Sequence, residues 1–114
     1  MAGYSFFPAA DKAQDKIWKY TAETWGEKQA EKYILGLHAH LQRLADKQLF
    51  WRSLPDSLVV SPDLEIHAYI SRYEHHYIFF RALPDNQIGI MSILHERTDM
   101  PVNLARDLKV ILGE

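Results

Sequence analysis

The hydrophobic pattern of this chain changes period once, and that change constrains the fold more than any other feature. From Ala9 to Ala45 apolar residues recur at steps of three and four, the spacing of a buried helix face. From Ile66 onward they alternate in steps of two, the spacing of a half-buried strand. Helices first and strands second predict an α+β domain in which the helices cover a face of the sheet. With 114 residues the chain has enough length for one core and too little for two, so residues 1–114 are expected to be a single domain.

The elements can be placed in order. Tyr4-Ser5-Phe6-Phe7 reads as an opening strand, ended by Pro8, which suits the first turn of a helix. Ala9, Ala13, Ile17, Tyr20 and Thr24 form the first helical stripe, flanked by Trp18 and Trp25, and Gly26 stops it. Ala30, Tyr33, Ile34, Leu37, Leu41, Leu44 and Ala45 form the second. So short a join predicts an antiparallel helical hairpin. Residues 49–63 hold Pro55, Asp56, Ser57, Ser61, Pro62 and Asp63, and predict an irregular connection with room for a strand at Leu58-Val59-Val60. Three antiparallel strands follow. Ile66, Ala68 and Ile70 alternate with polar neighbours. Arg72 to His75 make a turn into Tyr77-Ile78-Phe79-Phe80, and Pro84 to Gln87 make a turn into Ile88 to Leu94. The last two are nearly all apolar, which predicts central positions. Val102, Leu104 or Ala105, Leu108 and Ile111 or Leu112 mark a short C-terminal helix.

Charge and composition narrow the partners. Thirteen Lys and Arg against fifteen Asp and Glu give a net charge of −2, where a protein built to grip phosphates carries a basic excess. Direct nucleic-acid binding is therefore not expected of the chain as a whole. The absence of cysteine removes disulfides, thiolate nucleophiles and Cys-based zinc sites, and fits a reducing cytoplasm. No apolar run is long enough to span a membrane, and the first residues lack the basic and apolar pattern of a secretory signal.

Several words of the sequence resemble the ParE/RelE toxin superfamily of type II toxin–antitoxin systems. Phe7-Pro8-Ala9-Ala10 with Ile17-Trp18-Lys19-Tyr20-Thr21 resembles its first helix, and Trp25 to Tyr33 its helix junction. His76-Tyr77-Ile78-Phe79-Phe80-Arg81 resembles the penultimate strand, and Ile88 to Met100 the last strand and its exit. The resemblance runs from about residue 4 to residue 108 and is poor over 49–65. It implies the element order above. It also implies one of two activities: ribosome-dependent mRNA cleavage, as in RelE-like members, or inhibition of DNA gyrase by binding, as in ParE-like members. A shared fold does not choose between them.

Cleavage of RNA needs a group to take the 2′-hydroxyl proton, a group to protonate the leaving oxygen and cations on the phosphate. His95 stands where some RelE-like nucleases carry a catalytic histidine, and Arg72, Arg81 and Arg97 could bind phosphate. The nuclease pattern is broken by Glu96, where an aromatic residue is usual, and by Tyr77, where an arginine is usual. The ParE-like branch is thus favoured, with no catalytic residue, no cofactor and no metal. His95 is then a strand-end residue, and His75-His76 a solvated turn rather than a metal site. The resemblance implies two partners, a cognate antitoxin and DNA gyrase. Trp18, Trp25, Phe50 and Trp51, as apolar residues not needed by the core, are the expected antitoxin anchors. Arg97, Arg106 and Lys109, on a tail not needed to close the sheet, are the expected target contacts. A third reading, a toxin degenerated into a binding module, shares the antitoxin surface and differs only in toxicity.

Overall fold

In the computed structural model the described residues are 2–55, 58 and 68–111, with side chains through Lys109. The element order is β1 (Gly3–Phe6), α1 (Pro8–Trp25), α2 (Glu27–Ala45), β2 (Arg52–Ser53), β3 (Tyr69–Tyr73), β4 (His76–Leu83), β5 (Gln87–His95) and α3 (Met100–Ile111). The strands form one five-stranded sheet in the order β1-β5-β4-β3-β2. The three expected strands are its antiparallel centre, although the first is described only from Tyr69, continues through Arg72 and Tyr73 where the turn was expected, and its expected start at Ile66 lies outside the described residues. β1 joins the far side of β5 in parallel, Gly3 opposite Gln87 and Phe6 opposite Ile90. β2 is a two-residue strand, paired to β3, inside the expected irregular connection. Of the strand expected at Leu58-Val59-Val60, only buried Leu58 is described, and Val59 and Val60 lie outside the described residues.

The joints follow from residue chemistry. Gly26 alone connects α1 to α2, at φ 98° and ψ 161°, a conformation closed to side chains with a Cβ. Its N–H still donates to Ala22 O and its carbonyl accepts from Ala30 N, so one residue serves both helices. Asp85 and Asn86 both have positive φ, at 63° and 60°, which makes the β4–β5 turn the type whose twist matches a hairpin. α2 ends in a left-handed Lys47, with Gln48 N–H on Arg43 O and Lys47 N–H on Leu44 O.

The hairpin buries Ala10, Ile17, Leu37, Leu41 and Leu44 against Ile78, Phe80, Ile88, Ile90 and Ile93 on one face of the sheet. The stripe of α2 is the expected one. That of α1 is rotated: Ala10 and Ile17 face inward, whereas Tyr20 and Thr24 are exposed. The second face is closed by α3. Leu104 and Leu108 pack with Phe79, Met91, Leu94 and Ile70. Inside this layer the Ser92 hydroxyl donates to Asp107 Oδ2 at 2.6 Å. The expectation that the tail is not needed to close the sheet is therefore corrected, because an uncovered second face would leave these apolar side chains in water.

A bulge sets the phase of β5. Phe79 pairs with Ser92 and Phe80 with Ile90, so Met91 is an extra residue. Ile88 and Ile90 face the hairpin, the bulge adds one residue, and Ile93 faces the hairpin again. Without it the end of the strand would be turned over. His95, two residues beyond Ile93, is thereby set on the same face as its pairing partner His76.

Candidate functional site

A broad open cleft of about 1500 Å³ lies where α1, the exit of β5 and α3 meet. It is larger than the usual small-molecule pocket and open to one side, dimensions that suit a polypeptide better than a metabolite. Ala13 and Ile17 of α1 and Ile93 and Leu94 of β5 are among the apolar residues that line it. Lys12, Lys16, Lys32, Arg97 and Arg106 line it with Glu74, Glu96 and Asp107, so a chain of net charge −2 folds into a cleft with a local cationic excess. Two of the three carboxylates are already engaged. Glu96 takes Arg72 Nη2 at 2.6 Å and His75 Nδ1 at 3.1 Å, and Asp107 holds Ser92 and lies 3.5 Å from Arg106 Nε. Lys12, Lys16, Lys32 and Arg97 make no ion pair among the described residues.

One end of the cleft is a histidine cluster. The rings of His76 and His95 meet edge to face at 5.1 Å, and His75 stacks over His95 at 6.3 Å. Tyr33 of α2 shares a 2.6 Å hydrogen bond with His76 Nδ1. Burial, with His95 and His75 alongside, pushes His76 down to about 4, and burial pushes the Tyr33 hydroxyl up to about 12. Both are neutral at pH 7. Hydrogen bonding from His75, and the charges of Arg72 and His75, hold Glu96 below the usual carboxylate range. His95 Nδ1 accepts the Arg97 backbone N–H at 3.1 Å and so fixes the turn that leaves β5. Tyr33 also packs on Tyr73, whose hydroxyl sits against Gly36 of α2, and His40 beyond it bonds Ser71 Oγ at 2.8 Å.

Chain register separates the expected phosphate-binding residues. His76 pairs with His95, whereas Arg81 pairs with Gly89. Five residues of strand put Arg81 about 17 Å away along β4. Its guanidinium lies over the Phe7 ring instead, 5.2 Å from the centroid. Arg72 is committed to Glu96. Of the expected nuclease set, only His95 and Arg97 line the cleft. Among the described residues no group of three or more His, Cys, Asp or Glu is placed to hold a metal. Nor is any helix there long and apolar enough to cross a membrane.

The family described as "ParE toxin of type II toxin-antitoxin system, parDE" matches residues 4–100 of this sequence. The chain belongs to the ParE toxin family. It is a toxin of the type II toxin–antitoxin class, and its mixed architecture is the ParE-like one. A solved structure titled "Chromosomal ParDE TA system from P. aeruginosa" contains a chain of similar fold, with a TM-score of 0.57 and 16% sequence identity, covering 83% of this chain and 95% of that one. No curated protein is similar enough in sequence to match.

The expected anchors of this ParE-like toxin do not converge. Trp25 lies in the cleft, 72% exposed. Trp18 and Phe50 are exposed elsewhere, and Lys109 is exposed on α3 outside the cleft. Trp51 departs from the premise that the core does not need it. Its ring packs on Phe80 and Tyr69, and its Nε1 donates to Leu44 O at 2.8 Å. Sequence reasoning missed Lys12, Lys16 and Lys32. The first two stand four residues apart, a helical spacing that puts them on one face of α1.

Proposed function

We propose that this toxin acts in the cytoplasm by binding, not by cutting RNA: it inhibits DNA gyrase and is neutralised by a cognate antitoxin. The observation that carries the reading is the position of Glu96. Its carboxylate stands beside His95, where a nuclease would hold the scissile phosphate, and it occupies Arg72 and His75. A phosphate there would meet a negative charge whose cations are already taken. The separation of Arg81 from His95 supports the same reading.

Arg97 and Arg106 on the cleft, with Lys109 farther along α3, remain the proposed target contacts. Trp18, Trp25 and Phe50 remain proposed antitoxin anchors, with Trp51 left to the core. The test is plasmid supercoiling by purified gyrase with the free toxin added. Loss of supercoiling that antitoxin reverses supports the reading, and Arg97→Ala and Arg106→Ala should weaken inhibition without loss of fold. Point substitution is the right tool, because removing α3 would uncover the second face of the sheet. Undisturbed supercoiling, with cleavage of ribosome-bound mRNA that His95→Ala abolishes, would overturn it.

A further inference from the structure

We propose that the neutral ring of His95 is a latch on the exit of β5, that a proton opens it, and that opening it frees the root of α3. Nδ1 of His95 accepts the Arg97 backbone N–H at 3.1 Å, and the His95 carbonyl accepts from Thr98 N–H at 2.9 Å. One residue thus pins the turn from which α3 starts at Met100. A neutral ring whose Nδ1 accepts carries its proton on Nε2. A second proton makes both ring nitrogens donors. The Arg97 N–H then faces another donor, and the bond is lost whichever way the ring turns.

Charged and titratable groups surround the latch. His76 of β4 meets it ring to ring at 5.1 Å, and His75 stacks on it at 6.3 Å. Glu96 follows it in the chain and is shared by His75 and by Arg72 of β3. Behind His76 stand Tyr33 of α2, Tyr73 of β3 and Glu74 of the turn. On the cleft side are Lys12 and Lys16 of α1, Lys32 of α2, and Arg106 and Asp107 of α3.

The histidines of this cluster answer a proton differently. On His75 it strengthens the 3.1 Å contact with Glu96. On His76 it leaves the Tyr33 bond in place, because the phenol oxygen can accept where its hydroxyl donated. Burial also keeps His76 neutral down to about 4. Only on His95 does a proton remove an acceptor that the backbone uses. The body of α3 stays seated, since Leu104, Leu108 and the Ser92–Asp107 bond hold it to the sheet. Acid therefore loosens the turn and the first residues of α3 without unfolding the domain, and Arg97 on the cleft wall moves with them. The latch does not depend on what occupies the cleft, so its failure leaves the toxin reading intact.

The test is backbone nitrogen relaxation by NMR on the full-length toxin at pH ~7.5 and pH ~5, with the ring nitrogens of His95 followed in the same samples. Order parameters of the Arg97 and Thr98 amides should fall from about 0.85 to below about 0.6 as His95 takes up its proton, while those of Ile78 to Phe80 hold. His95→Asn sets an amide oxygen where Nδ1 stood and does not titrate, so it should keep the turn rigid at both pH values. His95→Gln carries its oxygen one bond farther out and should leave the turn loose at both. A turn that stays rigid with His95 protonated, or a His95 ring still neutral at pH ~5, would overturn the latch. So would acid loosening that persists in His95→Asn, a His95→Gln turn as rigid as wild type, or an equal loss of order along β4.

Discussion

The hydroxyl of Tyr33 lies 2.6 Å from Nδ1 of His76, and this bond ties α2 to the first residue of β4. His76 is neutral when folded and titrates near 4, whereas an unfolded histidine titrates near ~6.5. Between those values the unfolded chain binds the extra proton. Stability is therefore full above pH ~6.5 and falls as pH drops toward 4. Discounted for the ring's contact with solvent, the loss is about 1–2 kcal/mol. Urea melts at pH 7 and pH 5 should differ by that amount, and His76→Gln should flatten the difference. Glu96, held low by His75 and Arg72, adds to the loss only below its ordinary range.

Gly36 should resist replacement although it sits in the middle of α2. An Ala there gains about 1 kcal/mol of helix propensity. Its Cβ would collide with the Tyr73 hydroxyl, which Tyr33 and His40 wedge in place. Overpacking of this kind costs about 1–3 kcal/mol, so Gly36→Ala is expected to destabilise. Tyr73→Phe removes the colliding atom and should recover part of the loss. Additive effects in the double-mutant cycle would show that the two residues do not meet.

The Ser92–Asp107 bond predicts how α3 is held. Asp107→Ala leaves the buried Ser92 hydroxyl without its acceptor and should cost about 1–3 kcal/mol. Ser92→Ala with Asp107→Ala should cost less than the two single changes summed. Amide exchange should show α3 loosening before β4 and β5, and a uniform loss across the sheet would contradict this.

Trp51 and Trp25 should behave oppositely. Trp51→Ala strips a ring from Phe80 and Tyr69 and a donor from Leu44 O, and is expected to cost about 2–4 kcal/mol. Trp25→Ala should leave the melting temperature within about 1–2 °C of wild type, as exposed changes do, yet weaken the antitoxin complex. Thermal melts and titration with antitoxin check both.

Much of the fold was legible because its signals are local. Ala30, Leu37, Leu41 and Leu44 declare α2 by spacing alone, and Asp85-Asn86 declares a hairpin. The phase of α1 was not, since Ala9 and Ala10 are adjacent, small and alike until a sheet chooses between them. β2 is two exposed residues, too short to carry a period. The bulge at Met91 is silent because apolar residues surround it on a strand buried on both faces. That silence hid the site as well, since the facing of His95 depends on the bulge. Lys12 and Lys16 meet Arg97 and Arg106 only across the folded molecule, and no local pattern announces such a meeting.

The parallel pairing of β1 with β5 governs when this toxin can come into being. Its partners, Gly3 with Gln87 through Phe6 with Ile90, stand about 80 residues apart, a separation that slows folding. On a ribosome adding about 5–20 residues per second, the helical hairpin emerges seconds before the strand it covers. Until then Leu37, Leu41 and Leu44 have no sheet to rest on. The cleft arrives later still, because its far wall is the exit of β5 and α3. A ribosome making this chain thus presents a sticky nascent helix pair first and the finished cleft only once β5 and α3 have emerged, which gives an antitoxin already present time to be waiting.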